Sequence, residues 1–238
     1  MNKTPATAPP PVRPGRILVC GLNWLGDAIL SMPALQMYRW EHPDEEIILL
    51  TKPFLAPLWA LHAAPSRILT LPSETSGLKP LVRTLRELEI DVAYVLPHSF
   101  RSALPPYLAR IPRRIGMPGH FPRDVMLTEI RRPLGGPGRA HQVFEYLDLF
   151  FRGENRRTFT PPALTVPPTV LGAMHKRLDA LPPPWIALLP GAARGPAKQW
   201  PTENYALAAA RLMADTGGSI ITLGTAAEAE ICQQVAAA

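Results

Sequence analysis

An aspartate closes the turn Gly21-Leu-Asn-Trp-Leu-Gly-Asp27, which follows a short β-rich apolar run at 16–21. A carboxylate at the first residue of a helix that faces a ligand crevice can take a proton as a general base. The positive end of the helix favours its ionised form. Aspartate is also a preferred helix N-cap, so capping alone is the competing use of Asp27. The turn superficially resembles a dinucleotide fingerprint, yet it fails two requirements. Asn23 stands where the middle glycine would let a pyrophosphate approach, and the next apolar run ends in Thr51-Lys52 with no acidic residue to hold a ribose diol. A nicotinamide dehydrogenase is disfavoured on that ground.

The second constellation is the loop PGAARGPAKQWP at 190–201. A glycine-containing loop with open backbone N–H groups, Arg194 and Lys198 suits an anion, above all a diphosphate whose leaving-group charge must be neutralised. It is not a P-loop, since no Gly-x-x-x-x-Gly-Lys-Ser/Thr is present. Its alternative use is a solvated basic loop with Trp200 packed as a lid on the core. A third group, Ser99, Arg101 and Ser102, follows the apolar run at 91–96, where Arg101 would suit a phosphate or carboxylate. There Ser99 as a helix cap and Arg101 as a solvated first-turn residue compete with binding. The group Arg110, Arg113 and Arg114 either docks anionic lipid headgroups, at ~1 kcal/mol per basic residue, or simply solubilises. His98 beside the third group receives no role.

Elements that would position these residues follow from the apolar patterning. Short β-rich runs at 16–21, 46–51, 67–71 and 91–96 alternate with helical stretches starting at Asp27 and at 53–62, 78–88, 99–109 and 140–151. Such alternation argues for a doubly wound, mostly parallel α/β sheet. The run PPALTVPP at 161–168 breaks the rhythm as a linker, before a helix at 169–181. The pattern then resumes with strands at 185–189 and 219–223 and helices at 202–215 and 226–235, the first of these N-capped by Thr202. The resulting division is a flexible segment 1–15, a first domain 16–160, a linker and connecting helix 161–184, and the start of a second domain 185–238. Two strands cannot complete a doubly wound sheet, so either they pair elsewhere or the chain stops before its second domain is complete. An uncovered half-domain would be poorly soluble or would pair with another chain.

Composition narrows the partners. With 238 residues, 47% hydrophobic and 18% charged, the chain can bury a core, and its 30 prolines are spread through loops. Cys20 and Cys232 lack metal-type spacing and read as small reduced core residues. The first 16 residues lack a secretory h-region, and no run reaches the ~18 apolar residues of a membrane span, so the expected location is cytoplasmic. A net charge of +6 calls for an anionic partner: nucleic acid, a phosphorylated small molecule or a membrane surface. The basic groups, including Arg131, Arg132, Arg156 and Arg157, carry neither interleaved aromatics nor a duplex-reading motif, which argues against nucleic acid.

Three segments together resemble the lipopolysaccharide heptosyltransferase family, and within it the heptosyltransferase II branch: ILVCGLNWLGDAILSMPAL at 17–35, AYVLPHSFRSALPPYLARIPRRIG at 93–116 and PGAARGPAKQWPTENY at 190–205. The resemblance implies a GT-B-type architecture of two Rossmann-like domains facing each other across a cleft, acceptor bound mainly by the first and donor by the second. It implies transfer of heptose from ADP-heptose to the inner core of lipopolysaccharide, inverting, with no metal or other cofactor. Asp27 then matches the family's base and Lys198 the lysine on the donor diphosphate, with Arg194 beside it. Ser99, Arg101 and Ser102 become candidates for contact with a lipid A–core acceptor at the cytoplasmic face of the inner membrane. Relatives continue past the region matching residue 238, with an Asp-Ser/Thr-Gly-x-x-His type segment, so the donor domain is expected to be truncated here. The competing expectations are another nucleotide-sugar transferase or epimerase-like protein, and an acceptor-binding remnant that cannot hold donor.

Overall fold

The computed structural model describes residues 15–134, 141–152, 158–192 and 195–237. The chain forms two compact units, Met1–Thr165 and Val166–Ala238.

In the first unit six strands run parallel: β1 (Arg16–Cys20), β2 (Glu46–Thr51), β3 (Arg67–Thr70), β4 (Val92–Val95), β5 (Arg113–Gly116) and β6 (Glu129–Ile130). Their spatial order is β3-β2-β1-β4-β5-β6. β1 pairs on both edges, Val19 lying opposite Leu49 of β2 and Tyr94 of β4. Consecutive strand residues enter opposite faces. Ile17, Val19, Ile47 and Leu49 join one buried cluster, while Leu18, Cys20, Ile48 and Leu50 join the other. A parallel strand covered on both faces needs apolar side chains where it is buried, which is why the two strands carry the unbroken runs ILVC and IILL.

Helices cover the two faces: α1 (Leu25–Glu41), α2 (Ala56–Trp59), α3 (Leu78–Glu87), α4 (Phe100–Leu108) and α5 (Gln142–Phe150). α1 packs against α5. Aromatic contacts fasten that pair to the sheet, Tyr94 stacking on Phe150 with ring centres 4.3 Å apart and Tyr38 meeting Phe150 at 5.5 Å. Two differences from the sequence expectation concern helix starts. α1 begins at Leu25, so Asp27 is its third residue, not its first. The stretch 53–62 is a 3-10 turn, Pro53–Leu55, followed by only four residues of α2. Pro53 and Pro57 each favour the start of a helical turn and cannot supply an N–H within one. β5 and β6 were not anticipated, because RRIG reads as a basic group and a two-residue strand carries no period. Residues 161–165 lie on the first unit, Ala163 N–H donating to Gln36 Oε1 at 3.0 Å and Thr165 N–H to Leu61 O at 2.8 Å.

The second unit contains α6 (Pro168–Leu178), β7 (Trp185–Leu188), α7 (Thr202–Thr216), β8 (Ser219–Thr222) and α8 (Ala229–Ala237). β7 and β8 pair in parallel as a two-stranded sheet, Ile186 opposite Ile220. Val170, Leu171, Met174, Leu207 and Met213 are exposed. Thr202 is the first residue of α7 and not its cap. Pro201 holds the cap position without a side-chain bond. Both cysteines are free, and Cys232 is only partly buried instead of a core residue. Among the described residues no helix is long and apolar enough to cross a membrane.

Glu129 on β6 gathers three guanidinium groups: Oε1 meets Arg131 Nε at 2.9 Å and Arg152 Nη1 at 3.2 Å, and Oε2 meets Arg113 Nη2 at 3.3 Å. The hydrogen bond from Arg131 holds its carboxyl below the ordinary 4.5. With the folded value below the unfolded one, the stabilisation is complete above pH 4.5 and is lost as pH falls through the folded value. Urea midpoints followed from neutral pH into the carboxylate range should therefore fall more steeply for the parent than for Glu129→Gln. Parallel curves would show that this cluster contributes nothing.

Candidate active site

β1 is the strand at which the spatial order turns back, and open parallel sheets bind ligands outside the carboxyl ends of their strands at such a point. Two recesses open there. The smaller, about 190 Å³, is lined by Asn23, Asp27, His98, Gln142, Glu145 and Tyr146 among others. The larger, about 530 Å³, includes Cys20, Lys52, Phe54, Ser99, Arg101 and Ser102, and Asn23 belongs to both. Asp27 and the serine–arginine group therefore lie in neighbouring recesses of one rim.

Asp27 is half-buried on the first turn of α1. The N-cap position belongs to Trp24, whose backbone is extended and which makes no side-chain cap bond, so the aspartate does not serve as the cap. Among the described residues no hydrogen bond or ion pair engages its carboxylate. Across the recess, the Tyr146 phenol is buried and accepts a hydrogen bond from Gln142 Nε2 at 2.7 Å. Burial pushes its pKa above the ordinary range and the charge of Asp27 adds to the rise, so the phenol stays protonated. Gln142, Glu145 and Tyr146 carried no signal beyond their spacing of three and four positions on one face of a helix.

The larger recess uses its polar residues locally. Ser99 caps α4, its Oγ accepting the Ser102 N–H at 3.3 Å, so the capping alternative is realised. The buried Ser102 hydroxyl donates to Ser99 O at 2.6 Å. Arg101 is exposed but pinned, donating from Nη2 to Ser73 O at 3.0 Å. Burial pushes the Cys20 thiol up to about 12, against a smaller opposing pull from Arg123. Of the basic group at 110–114, Arg113 pairs with Glu129, and Arg114 donates to Met126 O at 2.6 Å beneath the Tyr107 ring. Arg110 remains exposed.

In the second unit Lys198 ends a 3-10 turn, Pro196–Lys198, in the segment that follows β7. It is exposed, and its N–H donates to Gly195 O at 3.3 Å. Arg194 lies outside the described residues, as do Arg156 and Arg157. Trp200 is half-exposed and meets Tyr205 edge-on at 5.1 Å, so it does not form a lid on the core. Among the described residues no three His, Cys, Asp or Glu side chains come together as metal ligands.

Residues 79–238 match the family described as glycosyltransferase family 9 (heptosyltransferase). The chain is 30% identical over 236 residues to lipopolysaccharide heptosyltransferase 2 of Escherichia coli, covering 94% of this chain and 67% of that relative. The lipooligosaccharide heptosyltransferase 2 of Haemophilus ducreyi is 27% identical, over 92% of this chain and 66% of its own length. The chain belongs to glycosyltransferase family 9, the heptosyltransferases. The solved structure of E. coli ADP-heptose LPS heptosyltransferase II matches with a TM-score of 0.77 at 26% identity, over 94% of this chain and 68% of that one. E. coli heptosyltransferase WaaC with ADP-2-deoxy-2-fluoro heptose shares the fold at a TM-score of 0.69 and 18% identity, over 93% of this chain and 73% of that one. The chain thus spans about two thirds of the length of the heptosyltransferases named lipopolysaccharide or lipooligosaccharide heptosyltransferase 2.

In this heptosyltransferase the walls of the Asp27 recess are fastened from behind by Arg123, which no motif singles out. Its guanidinium is 1% exposed and donates to Met117 O at 2.6 Å, Pro97 O at 3.2 Å and Val95 O at 3.3 Å, while pairing with Asp124 at 2.9 Å. Pro97 and Met117 line the recess. The guanidinium fits because position 116 is glycine: a Cβ there would stand 2.8 Å from Nη2 and 3.1 Å from Val95 O. Arg123→Met would remove the guanidinium donor from three carbonyls, of which Pro97 O keeps the Ser102 hydroxyl at 3.2 Å, at about 1–3 kcal/mol for each buried group left unsatisfied. Arg101→Ala, on the exposed rim, should cost about 1 kcal/mol or less. Urea denaturation of the two variants tests the contrast, and equal losses would remove Arg123 from its role as the fastening of the rim.

Proposed function

We propose that this chain transfers a heptose from ADP-heptose to the inner core of lipopolysaccharide, with Asp27 as the general base. The observation that carries the assignment is a carboxylate on the first turn of α1, at the sheet's switch point, that does not cap the helix and, among the described residues, pairs with no cation. The E. coli lipopolysaccharide heptosyltransferase 2 and the solved E. coli ADP-heptose LPS heptosyltransferase II to which the chain is similar supply the substrate class. In this scheme an acceptor hydroxyl enters the smaller recess and gives its proton to Asp27 as its oxygen attacks the anomeric carbon. The bond to the diphosphate breaks on the opposite side, so configuration inverts and ADP leaves. Lys198, with Arg194 in the same loop, offsets the charge that builds on the departing diphosphate. The larger recess takes the phosphate- or carboxylate-bearing part of the lipid A–core acceptor, with Arg101 and Lys52 as its cations and Ser99 and Ser102 shaping its wall. A lipid-linked acceptor implies work at the cytoplasmic face of the inner membrane, in peripheral contact with it.

Two measurements test the scheme. Titration calorimetry with ADP should show binding to the chain that Lys198→Ala abolishes. A folded chain with no affinity for ADP would overturn the donor role and leave an acceptor-binding module. In turnover, Asp27→Asn should lower kcat at least about 100-fold, the lower bound for loss of a positioned base, while ADP affinity is retained. A parent-like kcat would remove Asp27 from the chemistry.

A further inference from the structure

The Asp27 recess lies between two packed helices, with Asp27 on α1 and Gln142, Glu145 and Tyr146 on α5. Tyr146 is 1% exposed, and Gln142 Nε2 donates into its phenol oxygen at 2.7 Å. That bond engages a lone pair and leaves the phenol's own proton to be given elsewhere. Among the described residues it has no acceptor, and a buried donor left so costs about 1–3 kcal/mol. The Asp27 carboxylate, an acceptor on the same recess, takes no hydrogen bond from any described residue. The space of about 190 Å³ that both line has room for a water between them. The other titratable groups facing it are Glu145, on α5, and His98, whose Nδ1 lies 2.8 Å from Pro118 O and donates there. Glu145 when ionised offers no proton, and His98 is exposed, with its Nδ1 proton given to a backbone carbonyl. Tyr146 is the buried donor of the set.

We propose that Tyr146 is a positioning residue for Asp27: its phenol, anchored by Gln142, gives its hydrogen bond to the Asp27 carboxylate across the recess. One carboxylate oxygen is then held through one water, and the other is left to receive the acceptor's proton. The Gln142 amide polarises the phenol and makes it the better donor. Burial keeps the phenol protonated, so it remains a donor throughout the neutral range. A carboxylate fixed in one rotamer spends less of each encounter in unproductive orientations. The inference rests on the assignment of Asp27 as base.

The test combines a spectroscopic and a kinetic measurement. The Tyr146 hydroxyl proton, identified in the proton NMR spectrum by its loss in Tyr146→Phe, should be protected from exchange and should move in Asp27→Asn. Gln142→Leu, which leaves the phenol in place, should move it as well. A resonance indifferent to Asp27→Asn, or one lost to rapid exchange in the parent, overturns the link. In turnover, Tyr146→Phe should lower kcat roughly 10- to 100-fold, the scale of a misplaced catalytic group, with KM and melting temperature near those of the parent. An unchanged kcat, or a joint decline of kcat, KM and melting temperature, overturns the positioning role. Failure of the underlying assignment reads differently: Asp27→Asn would keep its turnover, whatever the hydroxyl resonance does.

Discussion

The pairing of β1 on both edges is the constraint from which the rim of the first unit follows. Its register places Cys20 opposite both Leu50 of β2 and Val95 of β4, so three strands end at nearly the same level. The chain leaving each of them must then emerge on one side of the sheet. That brings Asn23 and Asp27, Lys52, and His98 to Arg101 to a common rim, although they come from three separate segments. A strand covered on both faces can contribute only apolar side chains along its length. The polar chemistry is thereby forced to the ends; in the second unit Lys198 likewise lies in the segment after a strand, although β7 is exposed or half-buried along its length.

What the sequence discloses follows from the same geometry. β1, β2 and β4 are legible because two-sided burial writes them as continuous apolar runs, and Asp27 because it follows such a run within a recognisable segment. The start of α1 is misplaced by two residues because the usual polar cap is absent: Trp24 occupies the position where the rule expects Ser, Thr, Asp or Asn. β5 is concealed by Arg113 and Arg114, which read as a solvated basic group although Arg113 pairs with Glu129 from an exposed position and Arg114 donates to Met126 O. Arg123 and Tyr146 are beyond local patterns altogether. An arginine that satisfies three carbonyls, and a tyrosine that faces an aspartate on another helix, acquire those roles only when distant segments meet.

Around the rim, polar groups divide between those consumed by the fold and those left with bonding capacity. Ser99, Ser102 and Arg123 satisfy neighbouring backbone groups and so fix the positions of the segments that follow β4 and β5. Replacing them disturbs the shape of the recess before it disturbs any chemistry. Asp27 and the Tyr146 proton lie on the other side of the division. Among the described residues neither finds a direct partner for that capacity, and both face the recess of about 190 Å³, where a water has room to bridge them.

The three helices that meet at this rim make the same division in their first turns. α4 is capped by Ser99 and α5 by His141, whose Nδ1 accepts the Val143 N–H. α1, the helix that bears Asp27, has no side-chain cap, and a cap of the ordinary kind contributes about 1 kcal/mol. Local stability alone would favour a short hydroxyl or amide side chain at position 24. Such a side chain would bond the backbone N–H groups of the turn on which Asp27 stands. The packing of α1 against α5 and against the aromatic cluster of Tyr38, Tyr94 and Phe150 makes the cap dispensable. The helix is held from its buried face, and its first turn is left free to serve the site.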